Sequence, residues 1–322
     1  MFEVLLDNRN GNTWNLGEVA SDITWKTSRI GKPGSLEFTL IKNGLYQDPA
    51  FQYNNGDIVS VRKDGANVFW GYIFSIDTGR DEAVKITAYD QIRYLMNKQT
   101  YAFENVTIAE VLKKIAGDFQ LKLGRVEDTR YRIPAMLEDG QTLIDIICKA
   151  LTLTLINGGE NYFLFDDFGE LSLRKSSDYL LDFYLGTRSL MVDYSASRSI
   201  DSDTYNRIKL YKDNNSTGKR EIYEIQDSST IAKWGILQMY ESVEENKNLA
   251  QINELLTNLM ILKNRETKSL KLEAIGDTRV RAGCYVPVVI EEFNINQPFL
   301  IEECTHRFDG ANHTMSLELK VI

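Results

Sequence analysis

DITWKTSR at 22–29, SLEFTL at 35–40, GDIVSVR at 56–62, WGYIFSI at 70–76 and AVKITAYD at 83–90 form a run of short segments with alternating polarity. A similar run recurs as VDYSASR at 192–198, NRIKLY at 206–211, GCYVPVV at 283–289, FLIEECT at 299–305 and TMSLELKV at 314–321. In both runs valines stand three and five residues after a glycine: Val59 and Val61 after Gly56, Val286 and Val288 after Gly283. Alternation over a few residues, bounded by turn residues, is the signature of a half-buried strand. Recurrence of the whole pattern within one chain is the signature of a duplication. The expected fold class is mainly β with α+β insertions, built on two barrel or sandwich units duplicated in one chain. Gly56, Gly71, Gly283 and Gly310 read as the structural turn and bulge positions of that unit.

The offsets locate the interruption. Ser28-Arg29 aligns with Ser197-Arg198, an offset of 169, whereas Gly56 aligns with Gly283, an offset of 227. The second copy is therefore expected to carry 58 extra residues between about 211 and 280. This gives four regions: a first β domain at 1–97, an α+β domain at 98–185, a second β domain made of 186–211 and 268–322, and a loop plus long helix at 212–267 inserted in it.

Within 98–185, Thr107-Ile108-Ala109-Glu110 is a capping box, and Val111, Leu112, Ile115, Ala116 and Phe119 follow at helical spacing. A second helix is expected after Thr142, then strands at LTLTLI (151–156), NYFLF (161–165) and ELSLR (170–174). KDNNSTGKR (212–220) reads as an exposed loop. Val243, Leu249, Ile252, Leu255, Leu256, Leu259 and Leu262 mark a long amphipathic helix ending near Arg265.

Chemistry is sparse. The net charge of −9 argues against a phosphate-binding surface, and Arg125, Arg130 and Arg132 are the nearest thing to a basic cluster. Three scattered cysteines, Cys148, Cys284 and Cys304, make neither a disulfide framework nor a zinc site. The N-terminal MFEVLLDNRNG lacks the basic-then-apolar order of a signal peptide, and no apolar stretch is long enough to span a bilayer. The two histidines, His306 and His313, flank the turn Asp309-Gly310 and read as polar residues at a hairpin tip. The alternative, a metal held with Glu302 or Glu303, is the weaker reading. The pairs Glu291-Glu292, Glu302-Glu303 and Asp166-Asp167 are adjacent acids, which on a strand point to opposite faces, so no pair is itself a dyad. Phosphate-loop, dinucleotide, nucleophile-elbow and zinc-protease motifs are absent. No catalytic, cofactor or metal residue is assigned, and the expectation is a protein that is not an enzyme.

Five segments in order resemble the baseplate hub proteins of contractile phage tails, specifically the XkdQ-like hubs of PBSX-type prophages. They are DITWKTSR, DGQTLIDIICKALTLT (139–154), VDYSASRSID (192–201), NRETKSLKLEAIGDTRVRAGCYVPV (264–288) and FLIEECTHRFDGANHTMSLELKV (299–321). The resemblance implies two tail-tube-like units per chain and a homotrimer presenting six quasi-equivalent β units. Such a ring would adapt a three-fold spike to a six-fold tail tube and continue the tube lumen. The implied partners are the central spike protein, the tail tube or tube-initiator protein and other baseplate proteins, with no sequence-specific nucleic-acid binding and no membrane span. The implied location is the baseplate of a virion or tail-like particle, made in the bacterial host cytoplasm. A carbohydrate-binding or cell-wall-degrading tail component is the alternative role.

Overall fold

The computed structural model describes residues 2–42, 48–214, 218–243 and 247–320. The first β unit consists of β1 (Phe2–Asp7), β2 (Thr13–Asn15), β3 (Ser21–Ser28), β4 (Ser35–Ile41), β5 (Ile58–Lys63), β6 (Ala66–Thr78) and β7 (Ala83–Tyr89). Alternation puts Val4 and Leu6, Ile23 and Trp25, Leu36 and Phe38, Val59 and Val61, and Val84 and Ile86 on one side, all buried in a common core. The strands run in the order β3-β4-β7-β6-β5-β1-β2, and every neighbouring pair is antiparallel.

The next segment forms its own core. β8 (Lys98–Val106) leads into α1 (Ile108–Asp118), where Thr107 and Glu110 close the capping box. β9 (Leu123–Val126), β10 (Ile133–Thr142), α2 (Leu143–Gly158), β11 (Tyr162–Asp166) and β12 (Leu171–Lys175) follow, with β8 paired to β10 and β12 lying between β11 and β9. The sequence expectation of a strand at 151–156 is corrected: LTLTLI is the second half of α2. Its Leu-Thr alternation imitates a strand, but Ile147, Ala150, Leu151 and Thr154 fall on one helical face and are buried. The Thr154 hydroxyl donates to the Ala150 carbonyl, and Gly159 ends the helix in the left-handed region at φ +70.

The second unit comprises β13 (Leu185–Gly186), β14 (Met191–Ser199), β18 (Thr267–Ile275), β19 (Tyr285–Ile290), β20 (Ile295–Asp309) and β21 (Asn312–Lys320). Between β14 and β18 lies a separate three-stranded sheet of β15 (Arg207–Asn214), β16 (Lys219–Gln226) and β17 (Gln238–Ser242), with α3 (Ser228–Trp234) and α4 (Leu249–Lys263). Ile252, Leu256 and Leu259 of α4 cover Ile208 and Leu210 of β15. KDNNSTGKR is thus mostly hairpin, its flanks being the ends of β15 and β16, while 215–217 lie outside the described residues. The same holds for 244–246 of the expected long helix and for Val321 of the last expected strand.

The duplication is visible in the registers. Gly56, at φ +91, donates its N–H to the Ile73 carbonyl at 2.8 Å; Gly283, at φ +93, donates to the Ile301 carbonyl at 2.9 Å. One residue later a bulge interrupts the ladder in each copy, between Ile73 and Ser75 of β6 and between Ile301 and Glu303 of β20. Leu36 faces Ala88 in the first copy, and Leu270 faces Leu319 in the second. The counterpart of β4 is therefore β18. NRIKLY at 206–211 belongs instead to the inserted sheet, where β15 pairs with β16 and β17. Its alternation marks a strand but cannot say which sheet the strand joins. Trp25 opposite Leu36 corresponds to Ala196 opposite Leu270, which makes Ser199 the counterpart of Ser28. The sequence alignment to Ser197 missed by two residues, a shift that leaves side chains on the same faces.

Neither unit closes into a barrel. The path is open, with β14 at one end and β2 at the other.

Candidate assembly surface at the sheet junction

The two units share one sheet because β20 is long enough for three partners. Its first part pairs with β19, and its last part lies between β21 and β3. Six residue pairs form the junction without a slip, from Glu303 opposite Ser28 to Phe308 opposite Ile23. Beyond them the Arg29 N–H donates to the Glu302 carbonyl at 2.9 Å. The Arg29 guanidinium grips the Glu302 carboxylate with two bonds of 3.0 and 2.9 Å. Glu303 accepts from Ser28 at 3.2 Å and from Lys32 at 2.7 Å.

Under the junction lies an aromatic stack. Trp25 and His306 stack with centroids 4.8 Å apart, and Phe308 and His313 with centroids 4.3 Å apart. The histidines do not sit at an exposed hairpin tip, as the sequence suggested: both are buried, His306 completely. Their polarity follows from the end of the chain of bonds. The Val280 carbonyl can only accept, so His306 Nε2 carries the proton that bonds it at 2.9 Å. His306 Nδ1 then accepts from His313 Nε2 at 2.9 Å, and His313 Nδ1 accepts from Lys63 Nζ at 2.7 Å. Both rings are neutral in this arrangement. Burial pushes His306 down to about 3 and His313 down to about 4. Glu302 and Glu303 are engaged across the junction, so the possible metal set does not come together. Among the described residues no group of three or more His, Cys, Asp or Glu gathers as a metal site.

Glu291, Glu292, Asp166 and Asp90 are each engaged by hydrogen bonds or ion pairs. Glu291 pairs with Arg188, and Glu292 accepts from the Tyr194 hydroxyl at 2.9 Å. Asp166 is buried and accepts the Gly169 N–H at 2.6 Å. Asp90, also buried, accepts from the N–H groups of Gly34 at 2.9 Å and Ile92 at 3.0 Å. Burial pushes both of these carboxyls upward. Arg125 is paired with Glu127, and Arg132 with Glu110. Of the candidate glycines, Gly310 has φ +55 in the turn between β20 and β21. Gly71 is at no turn: it lies inside β6, where a Cβ would come 2.3 Å from the Tyr89 carbonyl oxygen.

Among the unpaired strand edges of the described residues, two belong to counterparts of the junction strands. β14 is bonded to β18 on one side only. β6 beyond Ile73 is bonded to β7 but has left β5. Long unpaired edges are templates for further strands, and on β14 the apolar Val192 is exposed. Sequence reasoning missed the β3–β20 junction and both edges, since backbone pairing selects no residue type.

The YQBQ-like family model matches residues 23–320. The chain is 31% identical over 305 residues to the YqbQ protein of Bacillus subtilis (strain 168), covering 94% of this chain and 92% of that protein. It is 30% identical over 306 residues, with the same coverage, to the phage-like element PBSX protein XkdQ of that strain. Its fold is similar to the 43 kDa tail protein of prophage MuSo2 from Shewanella oneidensis, with a TM-score of 0.73, 15% identity and 98% of each chain covered.

Proposed function

The chain belongs to the YQBQ-like family, and from that premise we propose that it is a structural, non-enzymatic baseplate hub of a contractile tail. In this reading three chains form a ring of six quasi-equivalent β units that adapts a three-fold spike to a six-fold tube. The observation that carries it is the duplication together with the β3–β20 junction, because one chain already joins two such units edge to edge. The relationship to a protein of the phage-like element PBSX supports a tail particle as the setting.

The four regions then have distinct tasks. The two β units line the ring, while the segment with α1 and α2 and the inserted sheet with α4 brace it from outside. Gly56 and Gly283 hold the same strand entry in each unit, Gly71 admits close backbone approach, and Gly310 turns the last hairpin. Partners are the spike, the tube or its initiator and neighbouring baseplate proteins. The location is the baseplate of a virion or tail-like particle, assembled in the bacterial cytoplasm. Negative-stain class averages of the purified chain mixed with its spike test the reading. Three-fold rings with a pseudo-six-fold outline and a central channel are expected; particles with no ring in that mixture would overturn it.

A further inference from the structure

We propose that the subunit contact is a specific strand pair: β14 of one chain adds antiparallel to the open edge of β6 in the next, in the register of the internal β3–β20 junction. The proposal rests on the ring reading and gives it an atomic contact. β3 corresponds to β14, and β20 to β6, by the registers and bulges of the two units. Inside the chain β3 and β20 are joined. Among the described residues their counterparts, β14 and the part of β6 beyond Ile73, each have a side with no strand partner, so each chain carries one satisfied junction and the two halves of an identical unsatisfied one. Halves on opposite ends of a subunit make a head-to-tail contact, which closes into a ring when the rotation allows it.

The register follows. Ser28 opposite Glu303 becomes Ser199 opposite Ser75, and Lys26 opposite Thr305 becomes Ser197 opposite Asp77. Trp25 opposite His306 becomes Ala196 opposite Thr78. The ion pair Arg29–Glu302 translates to Ile200 beside Phe74, both partly buried in the single chain, so an apolar pair replaces a charged one on both sides together. Arg198 falls opposite Ile76, as Thr27 does opposite Cys304.

Hydrogen-bonded and non-bonded pairs alternate along an antiparallel ladder. The bond from Arg29 to Glu302 makes Ser28–Glu303 a non-bonded pair, and hence Ser199–Ser75 as well, with Cα atoms about 4.5 Å apart, within disulfide reach. The test compares S75C/S199C with S75C/S195C, which lies four residues out of register, each oxidised at the concentration where light scattering gives the trimer mass. Burial pushes the native thiols Cys148 and Cys284 up to about 11 and Cys304 further up, so the parent chain is a quiet control. The expected result is a covalent trimer on a non-reducing gel for S75C/S199C only. A trimer by mass that cross-links in S75C/S195C, or in neither variant, overturns the strand pair and leaves the hub reading standing. A chain that stays monomeric and uncross-linked with spike and tube partners present removes both. A second variant, A196P, deletes an amide that faces the open edge and not β18. It is expected to keep the melting temperature of the monomer within about 3 °C and to lose the trimer; an A196P trimer of unchanged stability contradicts the proposal.

Discussion

The indole of Trp25 lies nearly flat on the imidazole of His306, at an interplanar angle of 18°, across the strand boundary where the two β units become one sheet. The contact places a large ring from the first unit under a strand of the second. Replacing Trp25, which is 3% exposed, with alanine leaves a cavity beneath the junction. A loss of about 3–5 kcal/mol is expected from urea denaturation. A loss below about 1 kcal/mol would show that the two units do not depend on this packing.

The buried histidine pair makes stability depend on pH in a definite direction. The rings titrate near 6.5 when unfolded, and burial pushes them down to about 3 and about 4 in the fold. In the interval between, the unfolded chain binds more protons, so their contribution is full above 6.5 and is lost as pH falls. Lys63, Asp277 and Cys304 are the other ionisable groups facing them. Asp90 and Asp166 act with the opposite sign, so the measurement is a difference between the parent and H306Q/H313Q. The parent's advantage is expected to shrink by about 4 kcal/mol, about 2 from each ring, between pH 7.5 and pH 5. An unchanged difference would contradict a neutral buried pair.

Arg29 and Glu302 are a bidentate pair with side chains 11% and 25% exposed. A double-mutant cycle with R29A and E302A should give a coupling of about 1–2 kcal/mol, above the usual surface pair and below a fully buried one. Additivity within 0.3 kcal/mol would reduce the pair to decoration of the junction.

The glycines separate by mechanism. Gly71→Ala drives a Cβ against the Tyr89 carbonyl, and Gly283→Ala drives one against the Phe163 ring at 2.1 Å. Each should destabilise by about 1–3 kcal/mol or more from overpacking. Gly56→Ala meets nothing within 4 Å but keeps φ +91, so backbone strain alone should cost about 1–2 kcal/mol. Thermal melts showing Gly56→Ala as the worst of the three would contradict this ranking.

Features with a local signal were legible in the sequence. The capping box at Thr107 and Glu110, the glycine-valine spacing of β5 and β19, and the hairpin at Asp309-Gly310 are each written in a few adjacent residues. LTLTLI and NRIKLY misled for one reason: alternation over six residues cannot separate a strand from a buried helix turn, nor one sheet from another. The turn did bring His306 and His313 together, but the cover over His306 is Trp25, which stacks on it from the far end of the chain. The junction itself is backbone pairing between residues 275 apart, such as Ser28 and Glu303, and no residue type announces it.

A three-fold ring of this chain is read from the solution mass measured by light scattering, with images of the same peak. A mass near three times 36.9 kDa with a three-fold ring is the predicted result. A particle of 36.9 kDa that remains single when spike and tube proteins are added would contradict it.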